Sequence, residues 1–317
     1  MICVKIYNPN LPKNIVDELK RLDTQYFQVD KPIPFKEGLT LYPVNVKYHD
    51  EFLAASSCLT LNRMESAEGI MTSNLGYLLF KMNQKGDKER EEEASMYSQY
   101  LIRICELCFH LKYGVFCKKC GKVYDYYDFL LKVSDKEHPF HCDCYQEGET
   151  EDFDVSIKYK LNPETNQREL FVNGIVITSK EFDRLRQIIM YQNLPDYKDD
   201  SWVDPEVRED QQEKQRLLAK QNKTGNATIE RKIVCVSAKT CYKINELYEL
   251  SIRKFLILLS AVDDAMTYEC TRIGLMTGMV SSKEPIEHWI YKRENDDLYG
   301  TATDADGFKN KVSGSGG

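Results

Sequence analysis

The chain has 317 residues, 42% of them hydrophobic and 29% charged, with 20 Tyr and 13 Phe. This is a globular composition on a length that exceeds one ordinary hydrophobic core, and it excludes a chain that stays disordered throughout. A net charge of -7 argues against general affinity for phosphate backbones and makes another protein the expected partner.

The longest apolar stretch is Phe255 to Leu259, far short of the roughly 18 residues a membrane-spanning helix needs. Met1-Ile2-Cys3-Val4-Lys5 lacks the charged and apolar regions of a signal peptide, so a cytoplasmic protein with no membrane contact is expected. Eleven cysteines are present, and six fall between Cys105 and Cys144. In a chain of this size without a leader, that cluster points to metal ligation and not to a disulfide framework. Cys3, Cys58, Cys235, Cys241 and Cys270 are expected to be buried thiols.

In chain order, Ile15, Leu19 and Leu22 form a short helical pattern that Asn14 would cap. Leu39 to Lys47 alternates across Pro43 and reads as an edge or bulged strand, since Pro43 cannot donate to a ladder. A helix is expected from about Tyr48 to Ala55 with Phe52 and Leu53 inward, and Leu75 to Met82 reads as an apolar helix or strand. The charge run Lys85 to Glu93 suits a solvated turn leading into a helix. Tyr100, Ile104, Leu107, Cys108 and Leu111 then line one face of an amphipathic helix from Tyr97. Cys105 and Cys108 within it have the C-x-x-C spacing, but their apolar neighbours favour a place in the core.

Phe153 to Leu161 and Leu170 to Ile177 read as strands, with Asn173-Gly174 as a turn that needs positive φ. Thr178 and Glu181 form a capping box for a helix that buries Phe182, Leu185, Ile188 and Ile189. From Pro195 to about Gly225 the chain turns acidic and polar, as a linker or exposed arm with Asp204-Pro205 opening a helix. Beyond Thr228 the pattern is helical. Ser251 caps a strong helix that carries Ile252, Phe255, Leu256, Leu259, Val262, Met266, Ile273 and Met276 and ends at Gly278. Leu256 to Leu259 are consecutive apolar residues, more than a single core face requires.

The expected architecture is α+β in several modules. These are an N-terminal α/β module (1–96), a zinc-ribbon-like insert with a hairpin and helix (97–194), a polar linker (195–226), a helical module (227–293) and a flexible tail (294–317).

Cys117-Lys-Lys-Cys120-Gly121 is the knuckle of a zinc ribbon: two thiolates separated by two residues reach one metal from a tight turn. His141-Cys142-Asp143-Cys144 follows after an intervening stretch long enough to return a second ligand pair. The expected ligands of a structural Zn2+ are Cys117, Cys120, Cys142 and Cys144, with His141 or His138 as substitutes for one thiolate in the less usual C-x-C half. Four protein ligands leave no open position for water, and no Walker loop, GxGxxG, HExxH or Ser/His/Asp spacing is present, so no catalytic residues are expected. Lys118, Lys119 and Lys122 beside Tyr124, Tyr126 and Tyr127 raise the alternative of a ribbon that binds nucleic acid, which the acidic residues around them oppose.

The order Leu41-Tyr-Pro-Val-Asn-Val46, Tyr48-His-Asp-Glu-Phe-Leu53, Leu75-Gly-Tyr-Leu-Leu-Phe80, a cysteine-bearing β insert and a helical end resembles the tail or baseplate-hub assembly chaperones of tailed bacteriophages. The resemblance spans about the first 190 residues. It implies a nonvirion helper in the infected cell that holds a hub or tape-measure component and has no catalytic residues. A virion structural component is the other phage-based expectation.

Overall fold

The computed structural model describes residues 11–134, 142–146, 149, 152–162, 168–221, 227–279 and 288. The fold is α+β, with most described residues helical and three small antiparallel sheets. The chain divides into two units, 1–259 and 260–317.

Helix α1 (Lys13–Leu22) buries Ile15, Leu19 and Leu22 as its spacing requires, and it runs into one π-helical turn, Asp23–Phe27. Its cap position is Pro12, so Asn14 lies inside the helix. Strands β1 (Ile33–Lys36) and β2 (Leu39–Leu41) pair antiparallel. The strand expected to reach Lys47 stops at Leu41, two residues before Pro43. The segment beyond it is held by tertiary partners instead: the Val44 amide donates to Asn193 Oδ1 at 2.8 Å, and Val44 O accepts from the Ile252 amide at 2.8 Å.

Helix α2 (His49–Ser56) buries Phe52, but Leu53 is 41% exposed, because one residue along a helix turns the side chain about 100° away from the core. After α3 (Ala67–Met71), the ambiguous apolar run is the helix α4 (Asn74–Met82), started by Ser73 Oγ accepting from the Gly76 amide at 3.0 Å. Helix α5 (Lys88–Phe109) is longer than its apolar face suggests, because Asp87 caps a polar first half that carries few core contacts. Its Cys105 and Cys108 are core residues, as expected, and Cys58 is buried beside them. Burial raises all three thiols, Cys105 to about 12.

A three-stranded sheet follows, in the order β4-β3-β5, from β3 (Gly114–Cys117), β4 (Val123–Asp125) and β5 (Phe153–Val155), with helix α6 (Tyr126–Ser134) after β4. The third sheet is a meander of β6 (Ile157–Leu161), β7 (Arg168–Val172) and β8 (Ile175–Ile177). Its Asn173-Gly174 turn has φ of 48° and 79°, the signs a two-residue hairpin needs. Helix α7 (Ser179–Asn193) opens with the full Thr178–Glu181 capping box, and Phe182, Leu185, Ile188 and Ile189 join one core with residues from α1, α2, α4 and α5.

The acidic stretch after α7 is not a free linker at its start. Asp199 is buried and accepts hydrogen bonds from Gln187 Nε2 (2.6 Å) and Ser201 Oγ (2.5 Å), while Tyr197 and Val203 join the buried residues. Its carboxylate is kept by the α7 side chains Arg186 and Gln187, which composition alone does not show. Helix α8 (Pro205–Gln221) then begins at the expected Asp204-Pro205.

A second, smaller core gathers Val46 with Ile233 and Val236 of α9 (Ile229–Lys239), Leu247 of α10 (Ile244–Glu249) and Phe255 of α11 (Ile252–Met276). Ser251 caps α11, with its Oγ accepting from the Lys254 amide at 3.2 Å. The root of α11 is tied down by a fully buried Arg253, whose Nη2 meets Asp23 Oδ1 at 2.9 Å and whose Nη1 donates to Tyr191 O at 2.6 Å. Cys235, Cys241 and Cys270 are exposed, contrary to the burial expected of them, because each sits on a helix face or turn that no described element covers.

Candidate metal centre

Strand β3 ends on Cys117, and the next five residues form the turn back into β4. Within that turn the Gly121 amide donates to Cys117 O at 2.7 Å and the Cys117 amide to Lys122 O at 3.0 Å. Gly121 sits at φ 73°, a conformation that glycine adopts without steric cost, which lets the chain reverse immediately after the second thiol. Cys120 is thereby brought to the same side as Cys117. Strand β5 pairs with β3 in the register Cys117↔Phe153, so the chain that enters β5 passes the knuckle. On that approach Cys142 and Cys144 lie in a turn closed by the Tyr145 amide donating to Cys142 O at 3.0 Å.

The four sulfurs lie within 4.8 Å of one another and can hold one metal ion. Neighbouring Sγ atoms are 3.4 Å apart for Cys117 and Cys144, 3.7 Å for Cys120 and Cys142, and 3.3 Å for Cys142 and Cys144. A tetrahedron with metal–sulfur arms of about 2.3 Å has edges of about 3.8 Å, so the donor set fits a four-coordinate ion with a slight outward movement. Cys117 and Cys142 are buried, Cys144 is half-buried and Cys120 is exposed. His138 and His141, the alternative ligands, lie outside the described residues.

The local electrostatics favour thiolate. Burial opposes ionisation of Cys117, but hydrogen bonds from the Cys120 and Lys119 amides and from the Cys144 thiol outweigh it and bring the group down to about 6. The Tyr124 hydroxyl donates to Cys142 Sγ at 3.1 Å and is the largest cause of a lowered Cys142. Burial, together with the hydrogen bonds it gives the other sulfurs, pushes Cys144 up. A divalent cation bound there would replace the protons that the sulfurs share.

Tyr124 is the site residue that the sequence pattern did not single out as a thiol partner. Its signal is its place four residues after Cys120, on the strand that returns past the ligands. The three lysines of the knuckle, which gave it a basic tip in sequence, each meet an acid: Lys118 with Asp152 at 2.8 Å, Lys119 with Glu149 at 2.6 Å and Lys122 with Asp143 at 3.5 Å. Of the nearby aromatic residues, Tyr127 is well exposed and Tyr126 packs against Tyr113.

No helix among the described residues is long and apolar enough to cross a membrane. No family model matches the chain, no curated protein matches it, and no solved structure matches it.

Proposed function

We propose that this chain is a non-catalytic binding protein whose β3–β4 insert is held by structural zinc, and that it acts as an assembly chaperone or scaffolding factor for another protein. Four thiolates are the donor set that zinc takes in structural sites, and they leave no position for a reacting water. The zinc ties two short strands and a turn into one piece, since β3, β4 and β5 are too small to bury a core unaided.

The observation that carries the binding reading is the distal part of α11. Met266, Ile273 and Met276 are exposed along it, Ile273 at 61% and Met276 at 78%, and Met279 follows at 85%. Flexible thioethers beside an isoleucine suit an apolar partner helix. The resemblance of Leu41 to Leu53 and Leu75 to Phe80 to phage tail chaperones supports a hub or tape-measure component as that partner, in the cytoplasm of an infected cell. The rival reading, a ribbon that binds nucleic acid, is weakened by the acidic partner on each knuckle lysine.

Co-expression of the full chain with tape-measure and baseplate-hub proteins, followed by pull-down, tests this. The native chain is expected to recover one of them, and Ile273→Asp with Met276→Asp to lose it. Equal recovery by both forms, or recovery of neither protein by the native chain, overturns the reading.

A further inference from the structure

A cleft of about 740 Å³ opens between the start of α1, the 63–70 segment and the first turns of α7. That volume is in the range of small-molecule sites, roughly 300–1,000 Å³. We propose that this cleft binds a small amphipathic anion, one acidic head group on an apolar body. The proposal stands apart from the metal centre and from the partner surface on α11.

The apolar half of the cleft is made by Ile15, Met64, Ile70 and Trp202. Met64 and Ile70 are 45% and 54% exposed and so open to a ligand.

The other half is cationic. Arg184 and Arg186 are already matched, the first by both oxygens of Glu18 (2.7 and 2.6 Å) and the second by Asp199 at 3.5 Å. Arg63 is different. Its Nε donates to Gly69 O at 2.8 Å and its Nη2 to Ile70 O at 3.1 Å, so the guanidinium is fixed by carbonyls and not by a carboxylate. Among the described residues neither Arg63 nor Lys180 has a carboxylate partner, although both line the cleft. The two lining carboxylates are engaged elsewhere, Glu181 by Lys36 and its own capping box, and Asp183 by Asn74 Nδ2.

One further feature points to an anionic head. Helix α1 starts in the cleft at Pro12, whose side chain cannot cap it, and the amides of Lys13 and Asn14 have no acceptor among the described residues. These early amides and the helix dipole favour negative charge. An acidic head held by Arg63, Lys180 and the α1 amides would lay its apolar body along Ile15, Met64 and Ile70.

The test uses the full chain and two fluorescent probes that share an aromatic body, 1-anilinonaphthalene-8-sulfonate and the uncharged N-phenyl-1-naphthylamine. The sulfonate is expected to bind one equivalent that decanoate displaces and inorganic phosphate at the same concentration does not. Lys180→Gln, at an exposed position that will not disturb folding, is expected to weaken the sulfonate on the order of tenfold and leave the uncharged probe unchanged. Arg63→Gln should do the same, with unfolding midpoints showing that the 63–70 segment is intact. Equal affinity for both probes, an unchanged sulfonate affinity in Lys180→Gln, or displacement by phosphate as good as by decanoate overturns the proposal.

Discussion

Cys142→Ser tests the metal centre most directly. Cys142 is the best-connected ligand: its sulfur lies 3.7 Å from Cys120, 3.3 Å from Cys144 and 3.1 Å from the Tyr124 hydroxyl. Sulfur–sulfur edges of 3.3–3.7 Å correspond to metal–sulfur arms of about 2.0–2.3 Å by tetrahedral geometry, so zinc would expand the cluster by a few tenths of an ångström at most. A serine oxygen is a harder, shorter ligand, and its hydroxyl does not ionise at neutral pH, so one arm is lost outright. Metal analysis of chain prepared without chelator is expected to find one zinc per chain in the native protein and none that survives dialysis in the variant. Because structural zinc in small modules contributes about 10 kcal/mol or more to folding, the insert should also become protease-sensitive near β3 and β4 while α7 and its core remain protected. Zinc content equal in native and variant chains, or a native chain with no zinc, would refute the reasoning.

Other outcomes follow from the same contacts. Tyr124→Phe removes a hydroxyl that stabilises the Cys142 thiolate, so zinc should stay but its affinity should fall by about 10- to 100-fold in a chelator competition. In metal-free protein the Cys117 thiolate should appear in ultraviolet absorbance as pH rises through about 6. Since its folded value is depressed, the stability this thiolate confers is present at higher pH and is lost as pH falls through about 6, which stability curves across that window would read. Arg253→Met leaves the buried Asp23 carboxylate without its guanidinium and should cost about 3–5 kcal/mol in denaturant unfolding, whereas adding Asp23→Leu should recover most of it. Thr178→Ala removes half of the capping box and should cost about 1 kcal/mol.

Local chemistry was legible in the amino-acid sequence wherever neighbours along the chain do the work. The knuckle from Cys117 to Gly121, the positive-φ turn at Asn173-Gly174, the Thr178–Glu181 box and the Asp204-Pro205 helix start each depend on a few consecutive residues, and each is where the pattern placed it. The four cysteines that meet could likewise be listed, because two pairs with close internal spacing need only one return of the chain to meet. Tertiary structure decided what depends on a distant partner. The strand after Leu41 ends because Val44 is bonded to Asn193 and Ile252, not to a strand neighbour. Asp199 leaves water although its surroundings in sequence are acidic, since Gln187 and Ser201 supply the hydrogen bonds that replace hydration. Cys235 and Cys270 stay exposed while Cys58 is buried: a thiol has little hydration to lose, so its burial is set by whichever element lies across its face, and the residues beside it do not encode that.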